Sequence, residues 1–188
     1  MNPTTDSRHR RSIRMPGWGY AETGAYFVTI VAQGRTCWFD HAVCRDIVDH
    51  EWRGLPARFP TVQLDAFVVM PNHVHFVIWL DPVEGAASAL VAQSPPRAQW
   101  NCAPTTKPAI GQSLKADPNR PALGQVVRAF KAVSAHRIRQ GTAEEFAWQR
   151  NYYERVIRNE RELNAIRQYI QNNPAHWAED RENPNHPR

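Results

Sequence analysis

Between Phe67 and Leu80 the chain reads Phe-Val-Val-Met-Pro-Asn-His-Val-His-Phe-Val-Ile-Trp-Leu, and no other stretch limits its folding options so tightly. Two apolar runs flank Met70-Pro71-Asn72-His73. Proline arrives with φ already fixed for the second position of a β-turn, and asparagine tolerates the third. The β-branched and aromatic residues on either side favour strands, so the stretch predicts a tight hairpin. Apolar content on both faces of Val62–Met70 and His73–Leu80 makes these central strands, covered by helices on at least one side. His73 and His75 follow the turn two residues apart, and strand alternation places both imidazoles on one face. Two histidines side by side on a rigid strand are a candidate metal site.

At 188 residues and 42% hydrophobic content, the chain can bury one proper core, and residues 1–188 are expected to form a single domain with appendages. A net charge of +5 points to an anionic partner. Nucleic acid is favoured over membrane, because Pro71-Asn72 breaks the longest apolar stretch short of the roughly 20 residues a span needs. The N-terminal arginines have no apolar segment behind them, so no secretory signal is expected. Cys37, Cys44 and Cys102 form no Cys-x-x-Cys pair and fit reduced thiols in a cytoplasmic protein.

Residues 1–16 are polar, and Arg8, Arg10, Arg11 and Arg14 make them a basic arm able to contact phosphates. Gly24–Ala32 reads as the first strand. Ala42 to about Arg58 reads as a helix with Val43, Ile47, Val48 and Trp52 on its apolar stripe. From 81 to 121, Pro, Ala, Ser, Gln and Thr dominate without periodicity, the pattern of a flexible insertion. Leu123, Val126, Val127, Phe130 and Val133 then form a helical stripe, with Arg128, Lys131, His136 and Arg139 largely off it. The segment 146–157 mixes aromatics with arginines and is expected to hold a short extended element. Asn159 caps a last helix, with Glu162 three residues on in a capping-box pattern. Leu163, Ile166 and Ile170 are its buried stripe, Asn173-Pro174 closes it, and 178–188 is a frayed polar tail. Strand, helix, hairpin, helix, extended segment and helix make an α+β sandwich.

His-x-His alone is a weak signal, since short motifs recur by chance. The last helix adds Tyr169 at the border of its stripe and Asn173 one turn further on the same face. With the histidine pair these offer a third metal ligand and a nucleophile. Tyr152 and Tyr153 remain competing nucleophiles on sequence alone. A phenol with a reference pKa near 10 needs activation, and a divalent cation can polarise a phosphodiester and stabilise its developing charge.

Several segments are similar to the HUH single-tyrosine transposases, and within them to the REP-associated tyrosine transposases. They are Arg11–Gly17, Gly24–Ile30, Val69-Met-Pro-Asn-His-Val-His75, Gly124–Lys131, and Trp148–Glu160 continuing through Glu162-Leu163 to Tyr169-Ile-Gln-Asn-Asn-Pro174. They cover most of the chain outside 81–121 and the last residues. The resemblance implies a ferredoxin-like sandwich with a central antiparallel sheet. It implies Mg²⁺ or Mn²⁺ on His73, His75 and Asn173, and attack by Tyr169 on single-stranded DNA to give a 5′-phosphotyrosine and a free 3′-OH. The implied partner is DNA carrying a palindromic hairpin, met beside the nucleoid by a monomer or homodimer. Arg8, Arg10, Arg11, Arg14, Arg128, Lys131 and Arg150 are the expected DNA contacts, with base stacking on Trp148. A binder of DNA hairpins that no longer cleaves is the alternative. A His-x-His oxygenase or hydrolase would need a further ligand from the same sheet.

Overall fold

The computed structural model describes residues 24–80, 121–142 and 145–186. The basic arm with Arg8, Arg10, Arg11 and Arg14 lies outside the described residues, as does the insertion over 81–120. Four strands, β1 (Gly24–Val31), β2 (Val62–Val69), β3 (His73–Leu80) and β4 (Tyr153–Ile157), form one sheet in the order β2-β3-β1-β4. Every pairing is antiparallel. The helices are α1 (Ala42–Arg53), the short α2 (Leu55–Arg58), α3 (Leu123–Thr142) and α4 (Glu160–Asn172). This is the expected ferredoxin-like α+β sandwich.

Alternation along the two central strands divides the core. Tyr26, Val28, Ile30, Val74, Phe76, Ile78 and Leu80 pack into one cluster with Cys44, Val48 and Trp52 of α1 and Val126, Val127 and Phe130 of α3. Ala25, Phe27, Val77 and Trp79 project to the opposite face, where Leu163 and Ile170 of α4 cover them. Burial of all eight residues of β3 follows from having helices on both sides. The hairpin turn is equally enclosed. Met70 N–H donates to His73 O, while the Asn72 and Pro71 carbonyls accept from Ala32 and Phe39 N–H.

One helix differs from expectation. The apolar stripe of α1 is Cys44, Val48 and Trp52, one residue out of phase with a stripe begun at Val43, which is 54% exposed. Trp52 sets that phase by stacking on Phe67 at 5.0 Å. The helix also stops at Arg53 rather than continuing to Arg58. Pro56 lacks the N–H that would bond Trp52 and its ring would strike that carbonyl, so the chain restarts as α2. The last helix is capped as expected, Asn159 Oδ1 accepting from Glu162 N–H at 2.8 Å. Its α-helical part ends at Asn172 with Asn173 as C-cap before Pro174, also as expected. Asn173 keeps helical angles, and a 3₁₀ segment runs from Asn173 to Glu179.

A bulge between Leu64 and Phe67 lets Asp65 and Ala66 both face α4. Asp65 accepts two bonds from Arg167 of α4, at 2.8 and 2.7 Å, and one from Trp79 Nε1 at 2.9 Å. Its carboxylate is almost wholly enclosed. Removing one partner of such a pair leaves a buried charge uncompensated. Arg167→Met should therefore cost about 3 kcal/mol, the low end for buried pairs because the guanidinium is partly exposed. Urea unfolding with an unchanged midpoint would show that the pair does not anchor α4.

Candidate functional site

His73 and His75 sit on the α4 face of β3, fully enclosed, with their Nε2 atoms 2.9 Å apart. Each ring is held from behind. Asn72 donates through Nδ2 to the carbonyls of Arg35, at 3.0 Å, and Glu182, at 2.7 Å. Only an NH₂ can serve two carbonyls, so Asn72 Oδ1 must face His73 Nδ1, 2.8 Å away, and that nitrogen carries the hydrogen. The Nε2 of His73 therefore presents its lone pair to the site. On the other ring, Thr29 Oγ1 lies 2.7 Å from His75 Nδ1. A hydroxyl both donates and accepts, so it supports either tautomer of His75. Such partners behind the rings fix metal-binding imidazoles in place.

The Arg35 carbonyl reaches Asn72 because Arg35 adopts a positive φ of 56°, a conformation that disfavours a side chain. Its guanidinium pairs with Glu182 at 2.9 Å, which helps hold the backbone there. Residues 178–186 are thus not a frayed tail. They fold back over the histidines, and Asp180 Oδ2 lies 3.7 Å from His73 Nε2. Trp177 also approaches the His73 ring at 6.0 Å.

Tyr169 is brought to the same place. Its hydroxyl is 3.3 Å from His75 Nε2, and the ring is 48% exposed. Asn173, one turn on, is only 4% exposed, and its Nδ2 has no hydrogen-bond partner among the described residues. The amide is enclosed next to Tyr169, and its oxygen rather than Nδ2 is the atom able to bind a cation. Of the competing tyrosines, Tyr152 packs against the opposite, α1/α3 cluster, whereas Tyr153 shares the site's face.

Burial sets the protonation states. It lowers His73 to about 4, opposed by the Asp180 carboxylate. It lowers His75 to about 3, and the neighbouring His73 adds to the effect. Both are neutral near pH 7, the form that binds metal. The Tyr169 phenol is pushed up by burial and by Asp180 and Glu182, against a lowering by Asn173. Left to itself it is a poorer nucleophile than a free tyrosine.

The residues present fit a divalent cation. Imidazole nitrogens, an amide and the Asp180 carboxylate suit Mn²⁺ at least as well as Mg²⁺, and the His73, His75 and Asp180 donor atoms lie within 4.8 Å of one another. Adjacent ligands about 2.1 Å from an octahedral ion stand about 3 Å apart, close to the observed separation of the two Nε2 atoms.

The histidine depression also has a consequence for stability. As pH falls below 6.5, the unfolded chain takes up protons before the folded one does. The contribution from neutral His73 and His75 is complete above that pH and is lost toward pH 4 and pH 3 respectively. In EDTA, stability should fall by an amount on the order of 5 kcal/mol between pH 7 and pH 4.5, about half from each histidine. His75→Gln should flatten that slope; parallel urea midpoints for the two proteins would contradict it.

Other expected DNA contacts fare unevenly. Trp148 is a correction. It is 7% exposed, bridges to Ala32 and donates from Nε1 to Ser134 Oγ, so its ring cannot stack on a base. Lys131 spends its ammonium on the carbonyls of Gln149 and Arg150, tying α3 to the approach to β4. Arg128 is exposed on α3, on the side of the sheet away from the histidines, and Arg150 is exposed before β4. Sequence reasoning missed Thr29, Asn72 and Asp180. Asn72 lay inside the quoted motif; Asp180 carried no local signal.

An antiparallel β2-β3-β1-β4 sheet with helices on both faces and a His-His-Asp group make an α+β sandwich with a candidate metal site. A solved REP-associated tyrosine transposase, bound to a REP hairpin, aligns with a TM-score of 0.56 over 87% of this chain and 73% of that one. Identity is 17%, so the likeness is one of fold. No family model matches. An uncharacterised protein of Haemophilus influenzae is 34% identical over 181 residues, 92% of each chain, and this chain belongs to the same family. No helix among the described residues is long and apolar enough to cross a membrane.

Proposed function

We propose that this protein is a metal-dependent nuclease and strand transferase of single-stranded DNA, with Tyr169 as nucleophile. The observation that carries the reading is the Tyr169 hydroxyl 3.3 Å from His75 Nε2, beside a second Nε2 whose lone pair faces the same point. A divalent cation bound by His73, His75 and Asn173, with Asp180 within reach, would polarise the scissile phosphodiester and stabilise the charge on its oxygens. Tyr169 attacks phosphorus, the bond to the 3′ oxygen breaks, and the protein retains a 5′-phosphotyrosine. Return of a 3′-OH reverses the step without external energy, because the phosphate ester is conserved. His73 is fixed by Asn72 with its Nε2 lone pair toward the site, and Thr29 can accept from His75 Nδ1, the tautomer in which His75 Nε2 would also face a cation with its lone pair.

The substrate proposed is a hairpin with a single-stranded flank. It rests on the shared fold of a transposase that binds a REP hairpin, on the +5 charge, and on exposed Arg150. The arm at Arg8, Arg10, Arg11 and Arg14 would add phosphate contacts. Such work belongs in the cytoplasm, beside the nucleoid. Neutralising Arg10 and Arg11 should reduce the salt dependence of hairpin binding by about two phosphate contacts. An unchanged slope would remove the arm from the interface.

The test is incubation with oligonucleotides carrying palindromic repeats from the source chromosome, in Mg²⁺, Mn²⁺ or EDTA. A denaturing gel should show a covalent protein–DNA adduct with either metal and none in EDTA. Hairpin binding without an adduct under any metal would leave a binder that does not cleave.

A further inference from the structure

Beside the metal site, the sheet presents a second aromatic surface. Thr29 pairs with His75 on one side and with Tyr153 on the other, so all three lie in one row across the sheet. Phe27, the neighbouring position on that face, touches three rings. His75 stacks on it at 5.5 Å, while Tyr169 and Tyr153 meet it edge-on at 6.0 and 6.3 Å. Phe27 is thus a floor from which the two tyrosines rise.

The two rings are similarly open, Tyr153 being 44% exposed. Its hydroxyl has no hydrogen-bond partner among the described residues, so packing and bonding within the fold do not account for a large exposed aromatic there. Among the described residues β4 is an edge strand, paired with β1 alone. α4 packs against β2 and β3, and its first turn meets β4 through Glu162 on Arg155, leaving Tyr153 uncovered at the other end of the strand. Phe27 thus lies in contact with two exposed rings, Tyr169 and Tyr153.

We propose that Tyr153 is a stacking platform for the nucleobase adjoining the scissile phosphate, so that the bound strand runs from Tyr169 across Phe27 toward the open edge of β4. This rests on the nuclease reading above and deepens it by naming what holds the strand in register. The occupant is a nucleobase because the platform is continuous with the nucleophile and metal ligands, and because an exposed flat ring suits the face of an unpaired base. Stacking on a tyrosine face is indifferent to base identity, so the platform fixes position and leaves sequence choice to other contacts. Trp148, enclosed behind the sheet, cannot take this role.

The experiment places 2-aminopurine at each flank position in turn of a hairpin oligonucleotide and follows its fluorescence in EDTA with the full-length protein. One position should be quenched by wild type and by Tyr153→Phe, and should stay bright with Tyr153→Leu. Affinity for the flank should fall about tenfold in the leucine variant. Should that variant fail to fold, Tyr153→Trp supplies the second arm, with a deeper quench at the same position. With Mn²⁺, the adduct should map immediately beside the quenched base. Equal quenching by wild type and Tyr153→Leu, or a phenylalanine variant that behaves like leucine, would overturn the proposal. Absence of any wild-type adduct would instead overturn the nuclease reading, because the quench in EDTA does not depend on cleavage.

Discussion

Tyr169→Phe should abolish the covalent adduct, with a loss of more than a thousandfold in cleavage, while leaving hairpin affinity within about twofold. The substitution removes one oxygen from a ring that is half exposed, and the fold loses the 3.3 Å contact to His75 Nε2 and the interaction with Asn173. Little stability rides on that contact, since most hydrogen bonds contribute about 1 kcal/mol net and this one is long. Phe27 still meets the ring edge-on, so its position is retained. Chemistry and binding therefore separate. An adduct that survives in the phenylalanine variant would move the nucleophile elsewhere, and Tyr153 would be first in line, since it stands on the same floor. Tyr152 would not, because its ring packs with the opposite cluster.

The parts of this site that were legible in sequence share one property, which is that local geometry decides them. Alternation places His73 and His75 on one face whatever packs above it, and helical spacing places Asn173 one turn from Tyr169. The turn at Met70–His73 follows from Pro71 and Asn72. Errors arose where a distant partner decides. Trp148 stands among arginines and reads as exposed, yet Ser134, hidden within the stripe of α3, offers its indole a buried partner. The phase of α1 depends on Trp52 finding Phe67 across the sheet. Asp180 is the clearest case. Its approach to His73 depends on the 3₁₀ turn after Asn173 and on Glu182 reaching Arg35 and Asn72, residues more than a hundred positions away. No window of the sequence contains that path.

Removal of a histidine ligand should be the second large effect, and its comparison with Thr29 separates ligand from support. His73→Ala deletes a donor from a fully enclosed position, so Mn²⁺ affinity by calorimetry should become too weak to measure and adduct formation should fall at least a hundredfold. The same change leaves Asn72 Oδ1 buried without its partner, a cost of about 1–3 kcal/mol. Thr29→Val keeps both imidazoles and the volume beneath them but removes the oxygen 2.7 Å from His75 Nδ1. Valine neither donates nor accepts, so His75 loses the group that steadies its tautomer. A drop of about 10–100-fold in Mn²⁺ affinity is expected, intermediate between wild type and His73→Ala. Should Thr29→Val bind Mn²⁺ as wild type does, Thr29 merely fills space and His75 is oriented by Phe27 and Tyr169 alone. Should His73→Ala bind it normally, the paired Nε2 atoms are not the metal site, and the 2.9 Å contact is a hydrogen bond between two core histidines.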